Sequence, residues 1–363
     1  MTSETSLRVN FMKFACAVMV VAIHCSWPWG RTWSPTWFAN QVFIGSLCGI
    51  AVPFFFLCSG YFLAKHLGTL ADWWTAVLKR VRTILVPFFI WTMIEILLFP
   101  LVLALLGDVL MGRPFCSTPL AFLRTYDWVY PLRKLIWMLP IVPLWYLKCL
   151  FVFVVIAPVV VFLTERFEKK WLALCFILGL LVSLISADVP SKFFRFMFSV
   201  SGLFYFSAGL YLHKHPLYIS CKSGGGAALI AVILAALKLF LVAHGFDVYA
   251  GMVDGIAIPF MMFAVWCVIP ARRLPSWLNN MFFPIYLMHM CFIWSLRPVF
   301  RHVAFFADSP RTCALLNLLV GVFGSILAAH LLRRLFPRLA RLFFGDRWRT
   351  SSVDKLSCPW PCH

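Results

Sequence analysis

Apolar runs of about 16 to 24 residues recur along almost the whole chain, and that length decides what it can fold into. A run this long crosses hydrocarbon as an α-helix, whereas a membrane β-barrel would show alternating segments of about ten residues. A water-soluble core cannot absorb the apolar surface either, because 63% of the 363 residues are hydrophobic and only 12% are charged. The solvent is lipid, and the expected fold is all-α, a polytopic integral membrane protein. About ten transmembrane helices can be drawn, at 10–28, 42–64, 83–106, 144–163, 170–187, 197–213, 226–244, 250–269, 281–299 and 312–332. The chain reads as one membrane domain over residues 1–332 with a basic tail over 333–363.

Charge placement sets the expected topology. An even number of spans leaves both termini on one side, and nineteen of the 32 Lys and Arg fall in the segments on that side, against ten opposite and three (Lys13, Lys148, Lys238) within spans. The positive-inside rule then predicts cytoplasmic termini. A net charge of +19 invites comparison with nucleic-acid binders, but no recognisable soluble domain carries a basic face. Anionic membrane lipids are the expected partner of that charge, the tail arginines included, and no nucleic acid is expected. The loop from about Gly107 to Pro143, predicted to face outward, mixes Tyr126, Trp128, Tyr130 and Trp137 with Asp127, Arg133 and Lys134. It suits sugar stacking and an interfacial amphipathic segment equally. The N-terminal run shows no small-x-small cleavage site ahead of Trp27-Pro28-Trp29 and is expected to stay as the first helix.

Thirteen cysteines are scattered, many of them within spans, where they read as small core residues. No metal site is assigned; Cys358 and Cys362, around Pro359-Trp360-Pro361, are the one pair suited to a metal or a lipid.

The first span carries the strongest candidates. Lys13 and His24 are eleven residues apart, three helical turns plus about 20°, so they share one face roughly 16 Å apart along the axis. Ionisable groups inside a span are costly and point to function. His24 fits two roles: an interfacial ring in the belt of Trp27 and Trp29, or a proton acceptor near neutral pH. Lys13 at matching phase favours a polar interior, although near the inner end it could snorkel. Lys79, Arg80 and Arg82 could grip the phosphates of a nucleotide-bearing donor, or serve as ordinary positive-inside anchors. In Val52-Pro53-Phe54-Phe55-Phe56-Leu57-Cys58-Ser59-Gly60-Tyr61, Ser59-Gly60 allows close backbone approach, and no nucleophile elbow surrounds Ser59. Lys148 is expected to anchor an outer helix end. Glu95 and His289 lie near mid-membrane, and Glu95 or Asp254 is expected to orient His24.

Five of these stretches, in order, resemble the acyltransferase-3 family of integral membrane acyltransferases. They are Lys13 with ten residues to His24, Phe55-Phe56-Leu57-Cys58-Ser59-Gly60, Lys79-Arg80-Val81-Arg82, Leu144-Trp145-Tyr146-Leu147 and Ile285-Tyr286-Leu287-Met288-His289. The resemblance implies transfer of an acyl group, commonly acetyl, from acetyl-CoA or another acyl-CoA to a hydroxyl. The implied acceptor is a carbohydrate of the bacterial envelope or its lipid-linked precursor, and the implied location is the inner (plasma) membrane. It assigns catalysis to Lys13 and His24 and donor binding to Lys79, Arg80 and Arg82. The family's Arg-x-x-Arg motif begins here with Lys79, a departure for which Arg80 offers a substitute. His24 as a base in a ternary complex and His24 as a transiently acylated ring both fit. A transporter or flippase for a sugar or lipid-linked substrate is the rival from another class, disfavoured by the lack of an evident internal repeat. A scaffold without chemistry is a third.

Overall fold

The computed structural model describes residues 3–25, 32–112, 121, 143–185, 199–216, 221–296, 299–300 and 309–345. Every regular element among them is a helix. The aromatic loop residues from Tyr126 to Trp137, Trp27 and Trp29, Arg347, Arg349 and the Cys358/Cys362 pair lie outside the described residues.

Helix α1 is Ser3–His24, and α2 runs Pro35–Ala64. The start of α2 is set by Ser34, whose hydroxyl accepts from Trp37 N at 3.1 Å, with Pro35 in the first turn. A capping box between Thr69 and Asp72 opens α3 (Leu70–Arg80). That helix leaves Leu70 and Trp74 exposed, and it is tied to the bundle by Trp73 Nε1 donating to Val154 O at 3.0 Å. Lys79 and Arg80 occupy its last turn.

The chain continues without a break through a π-helical turn (Val81–Leu85), α4 (Val86–Met93), a second π turn (Ile94–Leu98) and α5 (Phe99–Leu110). Then follow α6 (Trp145–Val155), α7 (Ala157–Ile185), α8 (Val200–Lys214), α9 (Cys221–Ala243), α10 (Asp247–Val268) and α11 (Phe282–Ser295). Helix α12 (Pro310–Leu335) contains a π turn at Val320–Gly324, and α13 (Pro337–Phe344) folds back so that Trp91 Nε1 donates to Phe343 O at 3.1 Å.

Among the described residues, five helices are long and apolar enough to cross a membrane: Glu4–His24, Pro35–Ala64, Ser223–Ala243, Asp247–Val268 and Pro310–Leu335. Trp145–Val155 with Ala157–Leu184, bent by 70°, makes a sixth if the pair is one span. About ten were predicted. The segments predicted at 197–213 and 281–299 form helices of 15 and 14 residues, short of the ~20 that a full crossing needs. The one predicted at 83–106 falls on α4, the π turn at Ile94–Leu98 and α5, a run that is not among the five. The predicted loop at Arg166–Lys170 coincides with a break in α7 at Glu168, where φ is 43°.

Two contacts show what fixes the bundle. Helices α2 and α8 approach so closely that a Cβ on Gly60 would lie 2.0 Å from Phe206 O, and one on Gly209 would lie 2.1 Å from Leu57 O. The Ser59-Gly60 step was read from sequence as a close-approach site, and the structure places it there. Farther out, Lys238 on α9 meets Asp254 on α10 at 2.9 Å and donates to Gly45 O (2.7 Å) and Ser46 Oγ (3.1 Å) in a π turn of α2. One side chain thereby joins three elements. Lys148 corrects an expectation: it does not anchor a helix at the bilayer edge but is buried, 2% exposed, because α6 turns it into the bundle.

Two outcomes follow from these contacts. Gly60→Ala should lose about 1–3 kcal/mol of stability in detergent because neither backbone can yield. Gly225→Ala, with open space around it, should melt as the parent does. Asp254→Ala should cost about 3–5 kcal/mol by stranding Lys238, and the double change Lys238→Met with Asp254→Leu should recover most of that loss. Thermal unfolding of the four variants checks both.

Candidate active site

The candidate site is built along α1. Its N-terminal half carries Lys13, whose ammonium lies 4.5 Å from the ring centroid of Phe62 on α2 and 5.5 Å from that of Phe282 on α11. The negative ring faces attract the cation and offset part of its burial cost.

Lys13 borders a cavity of about 460 Å³ between α1, α2, α3, α6 and α11. Lys79 and Arg80 line the same cavity, so three of the five predicted site residues converge there. Arg82 is exposed and is not part of the lining. The reason is local: a π turn starts at Val81, and its wider winding breaks the helical phase that would have set Arg82 near Lys79. Burial holds the Arg80 guanidinium below its ordinary pKa, and the neighbouring Tyr146 phenol opposes that shift. Guanidinium remains charged regardless, and one partly stripped of water binds anions strongly.

Hydroxyl groups complete the wall. Ser59 Oγ donates to Phe55 O at 2.7 Å, so its single proton is used and the Tyr146 hydroxyl, 3.2 Å away, is the donor to Ser59 Oγ. Ser59 is thus a packing residue with its proton committed to its own helix. Tyr286 donates to Pro143 O and lies 5.8 Å, ring to ring, from Tyr146. Neither tyrosine was given a role from sequence. The available signal was a hydroxyl-bearing ring inside an apolar helix, as in Trp145-Tyr146-Leu147 and Ile285-Tyr286-Leu287.

His24 ends α1 and is not in that lining. Its ring lies 5.4 Å from that of His289, tilted by 30°. His289 is fully buried, and its ring is 6.4 Å from Tyr286. Tyr286 therefore faces the cavity on one side and the histidine pair on the other. Neither carboxylate expected beside His24 forms a hydrogen bond or ion pair with it among the described residues. Asp254 is paired with Lys238, and Glu95, 2% exposed on a π turn, has both carboxylate oxygens buried without a hydrogen-bond partner among the described residues. Among the described residues no group of three or more His, Cys, Asp or Glu could hold a metal ion.

The arrangement suits an anionic ligand with a long arm. Its charge can meet Arg80 and Lys79 beside Lys13, while the two imidazoles lie outside the cavity lining. A family described as an acyltransferase domain matches residues 7–334 of this chain. The chain is also similar to the succinoglycan biosynthesis protein ExoH of Rhizobium meliloti (strain 1021), with 23% identity over 376 residues that cover 96% of this chain and 94% of that protein. No solved structure matches.

Proposed function

Because this chain belongs to the acyltransferase-3 family, we propose that it is a multi-pass membrane O-acyltransferase of the bacterial inner membrane with cytoplasmic termini. In this reading it moves an acyl group, acetyl in the first instance, from an acyl-CoA to a hydroxyl of an envelope polysaccharide or its lipid-linked precursor. The supporting observation is the cavity in which Lys13, Lys79 and Arg80 converge. The name of its relative, which places that protein in succinoglycan biosynthesis, favours a glycan acceptor.

Geometry divides the labour. Lys13 and His24 lie roughly 16 Å apart along one helix, so they cannot meet at one reacting atom. Lys79 and Arg80 hold the donor's phosphates from the cytoplasmic side, and Lys13 guides its pantetheine arm. The thioester then lies towards His24, where the acceptor hydroxyl enters from the outer side. That hydroxyl passes its proton to the His24 ring as its oxygen attacks the thioester carbonyl carbon. The C–S bond breaks, and the departing thiolate takes the proton from His24 and leaves as free CoA.

Purified protein in detergent with labelled acetyl-CoA tests the reading. Slow, saturable thioester consumption is expected even without an acceptor, and neither binding nor consumption would reject it. His24→Ala should lower the rate by about 10²–10⁴-fold, and full activity would remove His24 from the mechanism. Arg80→Ala should raise the KM for acetyl-CoA about tenfold or more, as loss of a charge-assisted hydrogen bond does. Arg82→Ala should stay within about twofold, as an exposed charge does.

A further inference from the structure

His289 is bound to its own helix through one ring nitrogen. Its Nδ1 lies 3.0 Å from Ile285 O. A carbonyl oxygen only accepts, so Nδ1 carries the proton and, in the neutral ring, Nε2 is left as an acceptor. That Nε2 is buried and makes no hydrogen bond among the described residues. An acceptor enclosed without a donor is costly, and a fold that keeps one keeps it for a donor that arrives. The neighbouring ring is that of His24, with centroids 5.4 Å apart and planes tilted by 30°. Two imidazoles joined edge to edge by an N–H···N bond of roughly 2.9 Å have centroids about 5 Å apart once the ring radii are added. The observed separation is within about half an ångström of that value.

We propose that His289 is the positioning residue of the base: its Nε2 accepts a hydrogen bond from the second ring nitrogen of His24, so that two imidazoles do what a histidine and a carboxylate do elsewhere. The proposal rests on the acyl-transfer reading above. With one ring edge held by His289, the other nitrogen of His24 is unprotonated and turned to the acceptor hydroxyl. It takes the hydroxyl proton as the C–O bond forms and returns it to the thiolate as the C–S bond breaks, while the proton shared with His289 stays in place. The chemistry of the surroundings favours this pair. A carboxylate next to His24 would bring a permanent charge into an apolar helix layer, whereas a neutral imidazole offers the same lone pair without one. Asp254 is paired with Lys238, and no hydrogen bond or ion pair joins Glu95 to His24 among the described residues.

The test uses the full chain in detergent with acetyl-CoA as the probe and release of free CoA thiol as the readout. His289→Phe should lower kcat about a hundredfold while the KM for acetyl-CoA moves less than about twofold. His289→Gln, whose side-chain oxygen can accept, should recover about tenfold over His289→Phe. The double variant His24→Ala with His289→Phe should be no slower than His24→Ala alone, because both changes remove one device. If His289→Phe keeps parental kcat while His24→Ala is inactive, the assignment of His289 falls and the acyl-transfer reading stands. If His24→Ala keeps parental kcat, the base itself is wrong and the assignment of His289 falls with it. Losses that multiply in the double variant also overturn it. In protein with 15N-labelled histidine, His289 is expected as the Nδ1–H tautomer with an unprotonated Nε2. An Nε2–H tautomer overturns the proposal whether or not a variant folds.

Discussion

One ammonium held between two aromatic faces is the contact on which the site depends. Lys13 brings α1 to Phe62 of α2 and to Phe282 at the start of α11. On α11, Phe282, Tyr286 and His289 follow at i, i+4 and i+7 and so share one face. That face meets Lys13 at its beginning and His24 near its end. Helices α1 and α11 therefore run in the same direction. Once the cation end is fixed, the rise of two rigid helices carries the imidazole end with it.

Other buried cations of this chain are treated differently, and the contrast separates structure from chemistry. Lys238 is met by a carboxylate, a carbonyl and a hydroxyl, so its charge and its donors are engaged within the fold. Arg333, 7% exposed at the end of α12, lies over Phe344 of α13 and donates to Asn280 O. Both join helices. Lys13 instead meets two ring faces and borders a cavity with two further cations. A cluster of three cations at one cavity suits an anionic ligand.

Helical period alone made much of this legible. The phase of Lys13 and His24 needs only the 3.6-residue repeat, and the close approach at Gly60 needs only the absence of a side chain. What sequence could not show is tertiary or is a departure from that repeat. The role of Arg80 against Arg82 turns on a π turn at Val81–Leu85, which no periodic pattern announces. The neighbour of His24 comes from the other end of the chain, and a mid-membrane His289 looks the same in sequence whether it faces His24 or only its own helix. Lys148 followed an aromatic run that mimics an interfacial anchor, and only the way α6 enters the bundle shows that it is buried. The span count is not settled by apolar runs for a related reason: the 14- and 15-residue helices pack against other helices of the bundle, so their apolar residues report neighbours as well as lipid.

The π turns tie these departures together. They occur at Gln41–Leu47, Val81–Leu85, Ile94–Leu98 and Val320–Gly324. The first contains Gly45 and Ser46, which bind Lys238; the second contains Thr83 of the cavity wall; the third carries Glu95; the fourth packs Gly321 against Val21 and Ile293, beside the histidine pair. A regular helix in lipid has no backbone group to spare, since each carbonyl is taken four residues on. A wider turn re-aims carbonyls and side chains without unwinding the helix, and so lets an apolar span present backbone as well as side-chain polar groups to a neighbour. On the proposed reaction, the same device resolves the conflict between a donor that is anionic and a bilayer that excludes charge. The phosphates stay at the end of α3, just before the first wide turn beyond it, and only the uncharged arm and thioester have to travel along α1 to reach His24.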